Sequence, residues 1–174
     1  LYDNDGQLIR PLTSGDWDVA DGARARSALL HVDEAGDRIF VAGTLDSPMQ
    51  RNIYEVSLSG DFEPRRISSK PGWHNADFAD NGEFYVDSFS NADTPPQLSL
   101  HRADGSRIAF IEENRLDESH PYHPYLASRP SIEFGTLEAE DGHALYYRML
   151  KPADFDAARR YPVIVYVYGG PMGQ

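Results

Sequence analysis

Two stretches of the chain repeat the same succession of strands and turns. The turn Glu34-Ala35-Gly36 is followed 46 positions later by Asp80-Asn81-Gly82, and Ser59-Gly60 is followed 45 positions later by Asp104-Gly105. Between the turns, apolar and polar residues alternate with a period of two, and helical periodicity is nearly absent. The first run reads as strand 28–32, turn at Gly36, strand 38–44, a loop with Ser47-Pro48, strand 52–58, turn at Gly60 and strand 64–68. The second reads as strand 74–78, turn at Gly82, strand 84–89, a loop with Thr94-Pro95-Pro96, strand 97–102, turn at Gly105 and strand 106–111. Each is a four-stranded antiparallel meander of about 45 residues, the length and make-up of a β-propeller blade. Residues 1–12, with Asp5-Gly6, read as the closing hairpin of a preceding blade. The plain alternative is a β-sandwich whose halves are alike by accident. Blades bury their faces on neighbours, and three or more are usually needed. Two and a fraction leave open faces, so cover from a longer protein or self-association of the chain is expected.

The pattern changes after residue 113. Residues 114–130 are polar and rich in proline, which forbids a long helix; this is a linker with one short helical turn at 123–128. From residue 131 a long hairpin follows, turning at Asp141-Gly142, then a polar connector with one helical turn at 154–159. Tyr161-Pro-Val-Ile-Val-Tyr-Val-Tyr168 is a continuous apolar run. A run without alternation reads as a strand covered on both faces, as in an α/β sheet. The expected organisation is therefore mainly β: blades over 1–113, a linker over 114–130, and the opening strands of an α/β domain over 131–174.

Charge and composition exclude several functions. Lys and Arg number 16 against 28 Asp and Glu, a formal charge of −12. Such a surface repels phosphate, so no nucleic-acid partner is expected. No apolar run approaches the roughly 20 residues of a membrane-spanning helix, and no membrane contact is expected. The absence of cysteine removes disulfides, thiol catalysis and Cys-ligated metals. The chain starts at Leu1 without a signal-like stretch and stops straight after an apolar strand, so it reads as a piece of a longer protein.

The strongest local signal for chemistry is Val165-Tyr-Val-Tyr-Gly-Gly-Pro-Met-Gly-Gln174. Ligands in α/β sheets bind beyond the carboxyl ends of strands, and Tyr168 stands there. A phenol has one hydrogen to donate and can stabilise a developing oxyanion. It can equally be a core tyrosine before a turn. Glu112-Glu113 sits at a strand end and reads as a solvated pair rather than a substrate site. His120 and His123 have metal-like spacing, but Pro121 and Pro124 deny them a shared helix face and no third ligand is evident. They read as linker residues, and no metal or organic cofactor is expected. Trp17 and Trp73 read as packing residues.

Tyr161 to Gln174 resembles the third hydrolase-domain strand of dipeptidyl peptidase IV-type serine exopeptidases, in the prolyl oligopeptidase clan. Gly72-Trp-His-Asn-Ala-Asp-Phe78, Tyr85-Val-Asp-Ser-Phe-Ser-Asn91, Thr94-Pro-Pro-Gln-Leu98 and Arg129-Pro-Ser-Ile-Glu-Phe-Gly-Thr-Leu137 also resemble bacterial members. The resemblance covers nearly the whole chain, in order. It implies an eight-bladed propeller joined to an α/β-hydrolase domain, a Ser-Asp-His triad, and release of N-terminal dipeptides after Pro or Ala. It implies that Tyr168 donates its hydroxyl to the oxyanion hole, and that the parent is periplasmic or at the cell envelope, with a homodimer plausible. No Gly-x-Ser-x-Gly occurs in the chain, so the nucleophile elbow is absent. The resemblance puts the triad beyond Gln174 and the amine-binding glutamates before Leu1, so no substrate-binding residue is assigned within the chain. A non-catalytic propeller binding module and an oligopeptidase or acylaminoacyl peptidase of the same clan are the alternatives.

Overall fold

The computed structural model describes residues 1–19, 28–60, 63–167 and 169. The chain divides into two compact units, Leu1–Asn114 and Arg115–Gly173. In the first, the expected meanders are two four-stranded antiparallel sheets, each in sequential strand order. The first sheet holds β1 (Leu29–Asp33), β2 (Arg38–Gly43), β3 (Asn52–Ser57) and β4 (Arg65–Arg66). The second holds β5 (Trp73–Phe78), β6 (Phe84–Ser90), β7 (Gln97–Arg102) and β8 (Arg107–Glu112). Seven strands match the expected ranges within a residue at each end. The exception is β4, expected over 64–68. Beyond Arg66, Ile67 N still bonds Ile53 O at 2.9 Å, but Ile53 N donates to the Ser68 hydroxyl at 3.2 Å instead of to a carbonyl.

The 46-residue offset holds in register. Asp33 pairs Arg38 in one hairpin, and Ala79 N bonds Phe84 O at 2.9 Å in the other. The backbone differs at the glycines expected to correspond. Gly82 is left-handed (φ 67°), whereas in the first turn Asp37 (φ 55°), not Gly36, takes that conformation. The Asp33 carboxylate explains the shift, because it accepts from Gly36 N at 2.9 Å and from Arg38 Nε at 2.9 Å. These bonds hold the Asp33 carboxyl below its usual range. Residues 1–10 form the expected hairpin, short and turning at Gly6: Tyr2 and Leu8 bridge antiparallel, Asp3 N bonds Gln7 O at 2.9 Å and Ile9 N bonds Leu1 O at 2.9 Å.

The sheets pack face to face. Phe40, Ile53 and Ile67 of the first meet Ala76, Tyr85 and Ala103 of the second, with Leu30 and Phe78 at the margin. Rings continue across the joint: Phe40 to Phe78 at 4.5 Å, Phe78 to Tyr85 at 4.9 Å and Tyr85 to His101 at 5.0 Å. Each fully buried large apolar side chain contributes about 1.5–3 kcal/mol. The other face of the first sheet buries Ile39, Val41, Tyr54 and Val56 under Leu12, Trp17 and Leu58. Both faces of β2 are therefore covered. In β6 only Tyr85, Asp87 and Phe89 are buried, and the alternate residues are half-exposed. The two tryptophans do not correspond. Trp17 packs on Tyr54 at 5.6 Å, while Trp73 opens β5 with 37% of its surface exposed.

In the second unit a 3-10 helix spans His123–Ser128 with a proline in its first turn, at the expected place. β9 (Ser131–Glu138) and β10 (Ala144–Lys151) pair antiparallel from Ser131↔Lys151 to Glu138↔Ala144. Residues 154–159 form tight turns, Phe155 N to Pro152 O and Arg159 N to Asp156 O, instead of one turn of helix.

Two outcomes follow from this packing. A Cβ on Gly105 (φ 93°) would lie 2.3 Å from the Ile67 carbonyl oxygen, whereas one on Gly6 (φ 78°) meets nothing within 4 Å. Gly6→Ala should cost the left-handed penalty alone, about 1–2 kcal/mol. Gly105→Ala should cost more, because turn and strand must also separate; equal urea midpoints for the two variants would contradict this packing. The Tyr54 hydroxyl donates to Asp46 Oδ2 at 2.7 Å, and burial, with the Asp46 carboxylate, pushes the phenol up to about 12. The unfolded phenol ionises near 10. This contribution is therefore intact below pH 10 and is lost as pH rises from 10 to about 12. Urea midpoints measured across that range should converge between wild type and Tyr54→Phe as pH rises; a constant gap would exclude the bond.

Candidate functional site

Among the described residues, polar side chains are buried together on the inward face of the second sheet. The register puts His74 on β5, Asp87 and Tyr85 on β6, and Ser99 and His101 on β7 at alternate positions of neighbouring strands, with Asp87 opposite Ser99 and Tyr85 opposite His101. His74 and Asp87 are 2% and 3% exposed. His74 Nδ1 lies 2.7 Å from Asp87 Oδ2 and its Nε2 lies 2.8 Å from Lys70 O. A carbonyl oxygen only accepts, so Nε2 carries a hydrogen, and Nδ1 and the carboxylate share another. Ser99 Oγ lies 2.8 Å from His101 Nε2, and His101 Nδ1 lies 3.0 Å from Gly105 O. By the same rule His101 donates from Nδ1, so as a neutral imidazole it accepts the Ser99 hydroxyl hydrogen at Nε2. Burial raises the Tyr85 phenol well above its usual range.

A hydroxyl bonded to an imidazole whose second nitrogen is fixed is the arrangement of an activated nucleophile. Ser99 cannot serve as one. Ser99 and His101 are both buried, and the cavity beside them is about 10 Å³, too small for a peptide. The cluster is structural. It ties β5 to its preceding loop and β7 to its following turn. Arg51 extends it, donating from Nη1 to His74 O at 2.8 Å and to Asn75 Oδ1 at 3.0 Å.

A larger, open groove of about 620 Å³ lies at the turn end of the first sheet, lined by Asp37, Arg38, Glu55, Ser57, Glu63 and Arg65 among others. Part of its charge is paired internally. Glu55 takes Arg65 at 2.6 Å and Arg38 at 3.6 Å, and Arg38 also holds Asp33 at 2.9 Å. The Ser59 hydroxyl, with help from Ser57, holds the Asp37 carboxyl below its usual range. Partly exposed pairs of this kind contribute little to stability.

The residues singled out from the sequence fall as follows. Tyr168 lies outside the described residues. The segment leading to it, 161–167, forms no strand, and Val163 to Val167 are 76–96% exposed. The expected strand covered on both faces is not formed: such a strand needs partners on its edges and layers on its faces, and the described residues of this unit pair only β9 with β10. Glu112 is exposed and caps its own turn, accepting from Asn114 N at 2.8 Å. The Glu113 carbonyl accepts from Gln97 Nε2 at 2.6 Å. His120 Nδ1 accepts from Tyr122 N at 3.0 Å. Among the described residues no three metal-ligating side chains converge, and no helix is long and apolar enough to cross a membrane. The buried polar cluster was missed from the sequence. A partial signal was there: Asp87 stands at the inward phase of β6 between Tyr85 and Phe89, while the inward phase of β7 is polar throughout, with Gln97, Ser99 and His101. Which residue meets which depends on strand register.

Comparison with known proteins fits this architecture. Residues 1–96 match the family model "Dipeptidyl peptidase IV (DPP IV) N-terminal region". The chain is 26% identical over 169 residues to mouse dipeptidyl peptidase 8, covering 94% of this chain and 18% of that protein. It is 32% identical over 171 residues to a protein of Aspergillus clavatus named "Probable dipeptidyl-aminopeptidase B", covering 94% and 17%. The crystal structure of Porphyromonas gingivalis dipeptidyl peptidase 4 superposes with a TM-score of 0.75 at 29% identity, over 92% of this chain and 21% of that one. The chain thus spans about a fifth of the length of these relatives. With a family model matched over more than half its length and sheets built as propeller blades are, the chain belongs to the dipeptidyl peptidase IV N-terminal region family.

Proposed function

We propose that this chain works as part of a longer serine exopeptidase that releases X-Pro or X-Ala dipeptides from peptide N-termini. The two sheets wall the cavity that limits access to short peptides. Tyr168 supplies a hydroxyl to the oxyanion hole. The single observation that carries the reading is the family match over residues 1–96. The order of the resembling segments, from Gly72 through Tyr161-Pro to Tyr168-Gly-Gly-Pro, supports its extension to the second unit.

The chemistry is acyl transfer. A serine hydroxyl attacks the peptide carbonyl, a base takes its proton, and negative charge gathers on the carbonyl oxygen. A phenol donating to that oxygen stabilises the transition state more than the ground state, where the oxygen is a weaker acceptor. The chain has no Gly-x-Ser-x-Gly. Nucleophile and base therefore come from elsewhere in the longer protein, and the 174 residues alone should not turn over a Gly-Pro or Ala-Pro chromogenic amide. Turnover that scales with the purified chain would overturn that division of labour.

In the longer protein, Tyr168→Phe should lower kcat about 10²–10³-fold with KM nearly unchanged. The ring remains, so the melting temperature should hardly move. A phenol serving only as a core hydrogen-bond donor gives the reverse, a loss of about 1 kcal/mol in stability with kcat near wild type. One variant measured both ways separates the two.

A further inference from the structure

The buried cluster of the second sheet consists of two hydrogen-bonded halves that meet without joining. One half runs from Lys70 O through His74 to Asp87 Oδ2. The other runs from Ser99 Oγ through His101 to Gly105 O. Asp87 and Ser99 are register partners on β6 and β7, both buried on the same face; directly opposed residues have their Cβ atoms about 4.5–5.5 Å apart. Asp87 Oδ1 is buried with no hydrogen-bond partner among the described residues. The Ser99 hydroxyl spends its hydrogen on His101, so it turns a free lone pair outward. Two acceptors cannot bond to each other.

A cavity of about 10 Å³ opens on these groups, lined by His74, Asp87, Phe89, Ser99, His101 and Phe110 among others. That volume admits the centre of one water. The occupant must offer hydrogens in two directions. A metal cation would want several ligands converging on it, whereas among the described residues no three metal-ligating side chains converge, and beside the neutral Ser69 and Gln97 the lining carries two cationic residues, Lys70 and Arg107. The His74–Asp87 pair already balances its own charge through the shared proton.

We propose that this cavity is a binding site for one structural water, which donates to Asp87 Oδ1 and to Ser99 Oγ. It joins the halves into one chain from Lys70 to Gly105. Both ends of that chain lie where the sheets meet. Lys70 belongs to the crossover between β4 and β5, and Gly105 abuts the Ile67 carbonyl. The water thus couples the β6–β7 seam to the contact between the sheets.

The test is a crystal structure of the 174-residue chain at a resolution that shows ordered water, with a second crystal soaked in rubidium. The expected result is a peak within hydrogen-bond distance of both oxygens and no anomalous signal at that point. An empty cavity, a direct Asp87–Ser99 hydrogen bond, or a rubidium signal overturns the proposal. In solution, Asp87→Asn and Ser99→Ala should each lower the Tm. The double variant should melt higher than the sum of the two losses predicts, by roughly 3–6 °C. Additive losses overturn it, and Ser99→Thr, which keeps the hydroxyl, should retain the coupling to Asp87.

Discussion

Everything in the first unit depends on the burial of one sheet face against another. A four-stranded antiparallel sheet has two faces and cannot cover both from within. Here the joint is aromatic. Phe78 stacks on Phe40 and His31 of the first sheet and on Tyr85 of its own. It sits where a slip between the sheets would expose several rings together. Two turns of the second sheet press on the first, one against His31 and one against the Ile67 carbonyl. Only glycine, at positions 82 and 105, lets the backbone approach that closely.

Polar residues within this joint fix what apolar packing leaves open. Hydrophobic contacts tolerate sliding, whereas buried hydrogen-bonding groups do not, because each unmade bond costs about 1–3 kcal/mol. If β6 slipped by one residue, Asp87 would turn outward and Val86 inward. His74 would then face Lys70 O on one side and no carboxylate on the other. The pairs His74–Asp87 and Ser99–His101 therefore specify register, and the aromatic and aliphatic contacts of the joint supply the apolar burial.

The second unit shows the reverse case, a segment whose sequence states a requirement that its surroundings leave unmet. Residues 161–167 are apolar throughout, and Val163 to Val167 are exposed over three quarters or more of their surface. The β9–β10 hairpin pairs eight residues of each strand along their facing edges. The 161–167 segment has no such ladder. The chain spans about a fifth of its relatives' length.

By itself the sequence determined what is local. Turn residues at 36, 60, 82 and 105, and alternation between them, marked the strands to within a residue or so, since both signals act over a few neighbouring positions. The same local rule failed at β4, where Ile53 N turns to the Ser68 hydroxyl and the strand is cut short, and at Gly36, where a carboxylate from Asp33 moved the left-handed residue to Asp37. Of the candidate site, the sequence offered Tyr168 through its place after an apolar run and through resemblance to a family. On the buried cluster it offered only polar residues at inward positions of β6 and β7, not which of them meet. Only the tertiary structure decided that His74 meets Asp87 and that Ser99 meets His101. Those meetings depend on which residues stand opposite each other across strands, and register is set by the packing of whole faces rather than by any one segment.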